Sequence, residues 1–218
     1  HVPDARGRHR AVARDRAMTA PAASGLIGPN SAIQLAAALE AMGEGAVARA
    51  AFAAAGREGW LAVPPTAMIP EGDAARLFAE VWQRLPAARA AALLEDAGRR
   101  TGAYILRHRI PPLAQAALRL MPQRMAALML RRAIHNAAWT FAGSGRCAVS
   151  RGVPGARYGR IAIAGNPLRL PGAPWHRGVF TALFAALVDP RVTVTADCPA
   201  PGCAGCQAAA CRFRLDRS

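Results

Sequence analysis

IHNAAWTFAGSGRCAVSRGVPGARYGRIAIAGNP, residues 134–167, decides the fold. Upstream of it, apolar residues recur at helical spacing. Within it the pattern shifts to short segments rich in Val, Ile, Trp, Phe and Tyr, broken by glycines. Trp139 to Val149 and Arg157 to Ala164 read as two strands, and Gly152 to Gly155 as the turn between them. Gly165-Asn166-Pro167 stops the second strand.

Downstream, Pro174 to Val188 reads as a helix with Val179, Leu183, Phe184 and Leu187 turned inward. Arg191 to Asp197 alternates as a strand, and Cys211 to Leu215 as another. Upstream, two helices are expected over 26–56, entered through Asn30 or Ser31 as N-cap. Trp60 to Pro70 reads as a loop, because its paired prolines oppose a regular ladder. Helices follow over 73–85, with Asp73 as cap, and over 87–108, 113–121 and 123–136. The fold class is therefore α+β: a helical N-terminal half, then β-β-α-β-β in an antiparallel sheet.

Composition narrows the function. Apolar residues make up 53% of the 218, which excludes disorder throughout. Every basic side chain is arginine, and the net charge is +15. Residues 1–17 carry five Arg and two Asp, so +12 remains without them. Residues 1–25 read as a disordered arm, or as sequence translated upstream of a start at Met18. Residues 26–218 read as a single ligand-binding domain. No apolar run is long enough for a transmembrane helix.

From Ala97 to Val188, 92 residues hold 14 arginines and no acid. A one-signed segment of that length fits an anionic partner: nucleic acid, a membrane surface or a carboxylate-bearing ligand. The plain alternative is a solvated, arginine-rich surface. No base-reading motif accompanies the charge, so nucleic acid is not expected as a partner.

Four cysteines, Cys198, Cys203, Cys206 and Cys211, are spaced C-x4-C-x2-C-x4-C. Soft thiolates at this spacing suit Zn²⁺ or an iron–sulfur cluster, and reduced structural or redox thiols are the alternative. Gly143 to Ala148 matches G-x-G-x-x-A, but a strand is expected to follow where a dinucleotide loop needs a helix. That match reads as a bulge or bend. His135, at the end of a helix, can ligate a metal at the centre of a macrocycle, or simply sit favourably in the helix dipole. His108 and His176 read as ordinary histidines. Met121, Met125 and Met129, four apart, read as core, although methionine also adapts to a flat apolar ligand.

Ile27 to Asn30, GRRTGAYILRHRIP (98–111), RMAALMLRRAIHNAAWTFAGSGR (124–146), GNPL (165–168), Asp189-Pro190 and the cysteine before Arg212-Phe213 together resemble the bacteriochlorophyll 4-vinyl reductase family. The resemblance spans roughly Leu26 to Leu215 and consists of many small matches. It implies a 4-vinyl reductase domain with a TRAPP-like fold. It also implies bacteriochlorophyll biosynthesis, with a magnesium tetrapyrrole precursor as ligand. Cys203 and Cys206 stand outside the family pattern. Vinyl reduction needs a hydride and a proton, and no dinucleotide or flavin signature is seen, so NADPH enters only as a possible reductant.

Two functions of different class follow. One is reduction of the 4-vinyl (8-vinyl) group of a divinyl (proto)chlorophyllide. The other is a non-catalytic carrier or accessory protein serving other bacteriochlorophyll-synthesis enzymes. The expected ligand lining is Tyr104, Met129, Trp139 and Phe141 against the ring, Arg131 or Arg132 on carboxylates, and His135 as axial ligand. A cytoplasmic location completes the expectations, with a peripheral place at the photosynthetic membrane and a homodimer left open.

Overall fold

The computed structural model describes residues 25–150, 155–197 and 210–218. In chain order the elements are β1 (Leu26–Ile27), α1 (Asn30–Ala41), α2 (Gly45–Ala54), α3 (Gly59–Ala62), β2 (Ile69–Pro70), α4 (Glu71–Arg84), α5 (Ala87–His108), α6 (Pro112–Leu120), α7 (Gln123–Asn136), β3 (Arg146–Ser150), β4 (Gly159–Ala164), α8 (Pro174–Leu187), β5 (Val192–Asp197) and β6 (Cys211–Arg217). A 3-10 turn at Ala138–Thr140 joins α7 to the sheet region.

The sheet is antiparallel throughout, in the order β3-β4-β6-β5. The α+β class and the β-β-α-β-β order are as expected, with β6 placed between β4 and β5. Strand alternation divides the sheet cleanly. Ile161, Ile163, Val192, Val194, Phe213 and Leu215 are buried on one face. Arg212, Arg214, Thr193 and Thr195 stand exposed on the other.

Helix α8 is the hub of the core. Nine of its residues are buried, Phe180 and Phe184 almost completely. Burial of each such ring contributes about 1.5–3 kcal/mol. α8 crosses α5 at close range because both helices carry glycine at the crossing. A Cβ at Gly98 would overlap the Trp175 carbonyl, and one at Gly178 would overlap the Glu95 carbonyl. The Glu95 carboxylate ties the crossing further, accepting from Arg99 on its own helix and Arg177 on α8.

Several boundaries differ from the sequence reading. Trp139 and Thr140 lie in the 3-10 turn, so the first strand begins only at Arg146. The Ala142 N–H donates back to the Ala138 carbonyl at 2.7 Å, and Gly143 takes a positive φ of 56°, which ends any extended run there. The 60–70 loop contains the end of α3 and a short strand. Ile69 and Pro70 pair with Ile27 and Leu26, which a proline tolerates at such an edge. Neither Asn30 nor Ser31 caps α1. Ser31 instead donates its hydroxyl to the Gly28 carbonyl at 2.9 Å. Asp73 lies inside the first turn of α4, where its buried carboxylate accepts from Arg57 and Arg76.

Candidate functional site

Helix α7 turns Ala126, Ala127, Leu130, Arg131 and Ile134 inward at three- and four-residue spacing. Four of these are ordinary core residues. Arg131 is not: its side chain is 4% exposed, under the hairpin of β3 and β4. Its Nη1 donates to the Ser150 carbonyl at 3.1 Å and to the Tyr158 carbonyl. The guanidinium occupies the space where a Cβ on Gly159 would stand, and Gly159 has φ 89°. Helix, hairpin end and glycine thus form one fitted unit.

Beside this unit opens a cleft of about 720 Å³, within the range of about 300–1,000 Å³ common for small-molecule sites. Arg124, Met125, Ala127, Leu128 and Arg131 of α7 form one wall, and Gly155 to Gly159 with Asp216 form the other. Arg124, Leu128 and Arg131, spaced i, i+4 and i+7, make a single stripe along the helix. Arg124 and Arg157 are exposed, so their guanidinium groups are open to a ligand. Arg157 also lies over the Tyr158 ring at 5.8 Å and donates its backbone N–H to Asp216 Oδ1 at 3.3 Å. The lining therefore joins apolar Met and Leu surface to three arginines against one carboxylate. It suits a ligand with a flat apolar body and an anionic substituent.

Tyr158 braces the floor. Its hydroxyl donates to Asp189 Oδ2 at 2.7 Å and lies 2.9 Å from the Gln123 side-chain amide on α7. Asp189 is buried and also faces Arg191 and Arg217. The Arg191 backbone N–H and then the Tyr158 hydroxyl hold the Asp189 carboxyl below its ordinary range, against the effect of burial. Burial, with the Asp189 carboxylate added, pushes the Tyr158 phenol up. Tyr158 is therefore a neutral donor and a poor acid.

The expected ligand residues separate. Arg131 reaches the cleft, but its Nη1 serves hairpin carbonyls. Met129, Arg132 and His135 lie on the solvent side of α7, and Trp139 is 63% exposed in the 3-10 turn. Phe141 packs edge-on against His176 and Phe180. Tyr104 sits on α5 beside His108, with ring centroids 4.6 Å apart. Arg124, Leu128, Arg157 and Tyr158 were not anticipated as lining, although the i, i+4, i+7 stripe from Arg124 was present in the sequence.

His176 is enclosed by Phe141, Trp175, Phe180 and Phe213. Its Nε2–H donates to the Phe141 carbonyl at 3.4 Å, and Nδ1 accepts from Asn166 at 3.5 Å. Burial pushes its pKa down to about 4, so it is a neutral core histidine. The Gly143-Ser144-Gly145 loop holds a carboxylate of the protein's own. Ser144 donates its N–H and its hydroxyl to Glu71, each at 2.7 Å. A strand follows the loop, as its reading as a bend requires.

Cys198, Cys203 and Cys206 lie outside the described residues. Cys211 is fully buried, disulfide-bonded, and accepts from Asn166 Nδ2 at 3.5 Å. Among the described residues, no three His, Cys, Asp or Glu gather as a metal site, and no helix is long and apolar enough to cross a membrane.

No family model matches the chain. Two relatives share a name. The bacteriochlorophyll synthase 23 kDa chain of Cereibacter sphaeroides is 41% identical over 212 residues, 94% of this chain and 97% of its own. The protein of the same name from Rhodobacter capsulatus is 39% identical over 136 residues, 60% of this chain and 62% of its own.

Proposed function

The chain belongs to the family of the bacteriochlorophyll synthase 23 kDa chain, and from that premise we propose that it binds a magnesium divinyl tetrapyrrole precursor in the cleft beneath the β3–β4 hairpin, in the service of 4-vinyl (8-vinyl) reduction. The carrying observation is the composition of that cleft, where Met125 and Leu128 adjoin Arg124, Arg131 and Arg157. The apolar wall takes the macrocycle, and the exposed arginines take its carboxylate in charge-assisted hydrogen bonds. In this reading 26–218 is one ligand-binding domain of the 4-vinyl reductase type, with a TRAPP-like arrangement. It works in the cytoplasm, peripheral at the photosynthetic membrane.

Two roles for the bound precursor are distinguishable. As a reductase, the protein would supply a site for a hydride donor such as NADPH and a proton for the reduced vinyl carbon. As a carrier or accessory protein, it would present the precursor to another enzyme. Two observations favour the carrier. The glycine loop at 143–145 has its donors committed to Glu71. The phenol nearest the cleft, Tyr158, is pushed away from acid behaviour by burial.

Absorbance titration with divinyl protochlorophyllide, with and without NADPH, tests the proposal. A band shift that saturates without conversion supports the carrier, and conversion to the monovinyl spectrum supports the reductase. An Arg124→Gln/Arg157→Gln variant should bind about tenfold or more weakly, because each lost charge-assisted bond is worth about 1.5–3 kcal/mol when desolvated. Unchanged affinity in that variant would remove the cleft as the site. No band shift in the wild type would remove the ligand.

A further inference from the structure

Helix α6 is built inside out. It is amphipathic, yet none of its residues is buried. Leu113 and Leu120, seven apart and so on one face, are 86% and 87% exposed. Leu118, partly buried against the core, and a set of polar contacts hold α6 to the protein. Gln115 Nε2 donates to the Leu106 carbonyl at 2.6 Å and the Ile110 carbonyl at 2.9 Å, both at the end of α5. Arg119 Nε donates to the Ala186 carbonyl at the end of α8 at 3.0 Å. A surface helix ordinarily turns its leucines to the core and its amides to water. Here only Leu118 turns inward, beside Gln115 and Arg119, while Leu113 and Leu120 turn out, so their face is shaped for a cover that is not water.

The surroundings identify the cover by charge. Arg107 and Arg109 precede α6 and Arg124 follows it, all three exposed. They lie within the 92 residues that contain no acid, and they make no ion pair among the described residues. Of the seven large apolar side chains exposed among the described residues, five fall between Leu113 and Trp139. Exposed leucines beside arginines that make no ion pair, in a stretch of sequence that holds no acid, are the chemistry of a helix lying in the headgroup region of an anionic bilayer.

We infer that α6 is a monotopic anchor, with Leu113 and Leu120 entering the acyl boundary and Arg107, Arg109 and Arg124 resting on anionic headgroups. This specifies the peripheral location proposed above and does not depend on precursor binding. Arg124, four residues beyond the end of α6, also lines the cleft.

Co-sedimentation of the full chain with phosphatidylcholine vesicles, with and without phosphatidylglycerol, tests the inference. The wild type should pellet with the anionic vesicles and be released by high salt. Leu113→Glu/Leu120→Glu should bind at least about tenfold more weakly. Its far-UV spectrum and melting midpoint should be unchanged, because neither leucine supports the fold. Arg107→Gln/Arg109→Gln serves as a second variant that leaves the leucines in place, and should also lose binding. Failure of the wild type to pellet would sink the peripheral location itself. Wild-type binding that both variants retain would sink only the assignment to α6. A concentration-dependent dimer abolished by the leucine variant, without vesicle binding, would place a second copy on this face and overturn the lipid assignment.

Discussion

Helices α6 and α8 begin alike and end differently. Each opens with proline in its first turn, each is rich in Ala and Leu, and each lies in the acid-free window. α8 buries nine residues and meets α5 across glycines, whereas α6 buries none. Periodicity alone marks both as having a face to be covered. It does not say whether the cover comes from the same chain. The difference lies in residues outside the apolar stripe: glycines that admit a neighbouring backbone at α8, and Gln115 and Arg119 that bond inward at α6.

Breaking the closed helix should have the largest effect. Gly98→Leu or Gly178→Leu forces a side chain into a carbonyl of the facing helix, and should cost about 4 kcal/mol or more by chemical denaturation. A loss under about 1 kcal/mol would mean that the α5–α8 crossing relaxes freely. The buried histidine of α8 gives the next effect. The pKa of His176 is depressed to about 4, from an ordinary value of about 6.5. The unfolded chain therefore binds a proton in that window while the folded protein does not. Stability is full above about pH 6.5 and falls with pH toward about 4, by up to about 3 kcal/mol. His176→Phe should flatten that limb of the stability–pH curve, and an unchanged slope would place the acid sensitivity elsewhere.

Arg131→Met stands between the two extremes, since it leaves two hairpin carbonyls without this donor. A loss of about 2 kcal/mol is expected, and denaturant titration reads it. Precursor affinity should fall with it only if Arg131 also faces the ligand, which sharpens the division between its bracing and binding roles. The open helix should show the smallest effect. Leu113→Glu/Leu120→Glu should change stability by no more than about 0.5 kcal/mol. A large loss there would show that α6 is core after all, and the contrast with α8 would collapse.

Those contrasts mark what the sequence could disclose. The bounds of α5 and α7 were legible because proline opens each helix and an apolar stripe runs its length. The start of β3 was not, because Trp139 and Phe141 favour strands by type while the local hydrogen bonds close a 3-10 turn. Arg131 was expected on a ligand carboxylate and was not legible as a buried brace. Its two carbonyl acceptors lie 19 and 27 residues away, and only the folded hairpin presents them. Arg157 and Tyr158 were expected in a strand but lie in the turn before β4, and it is the hairpin's approach to α7 that makes them part of a cleft. The glycine loop was read as a bend, yet the carboxylate it holds, Glu71, lies 73 positions away and leaves no local signal.

The fit between Arg131 and Gly159 also constrains how this chain can change. Any side chain at 159 collides with the guanidinium, and any shorter residue at 131 abandons the hairpin carbonyls while leaving a hole beside the glycine. Neither position has a neutral first step. A lineage that replaces one must tolerate a damaged intermediate before the other can change. The two codons, 28 apart, should therefore be inherited as a single character.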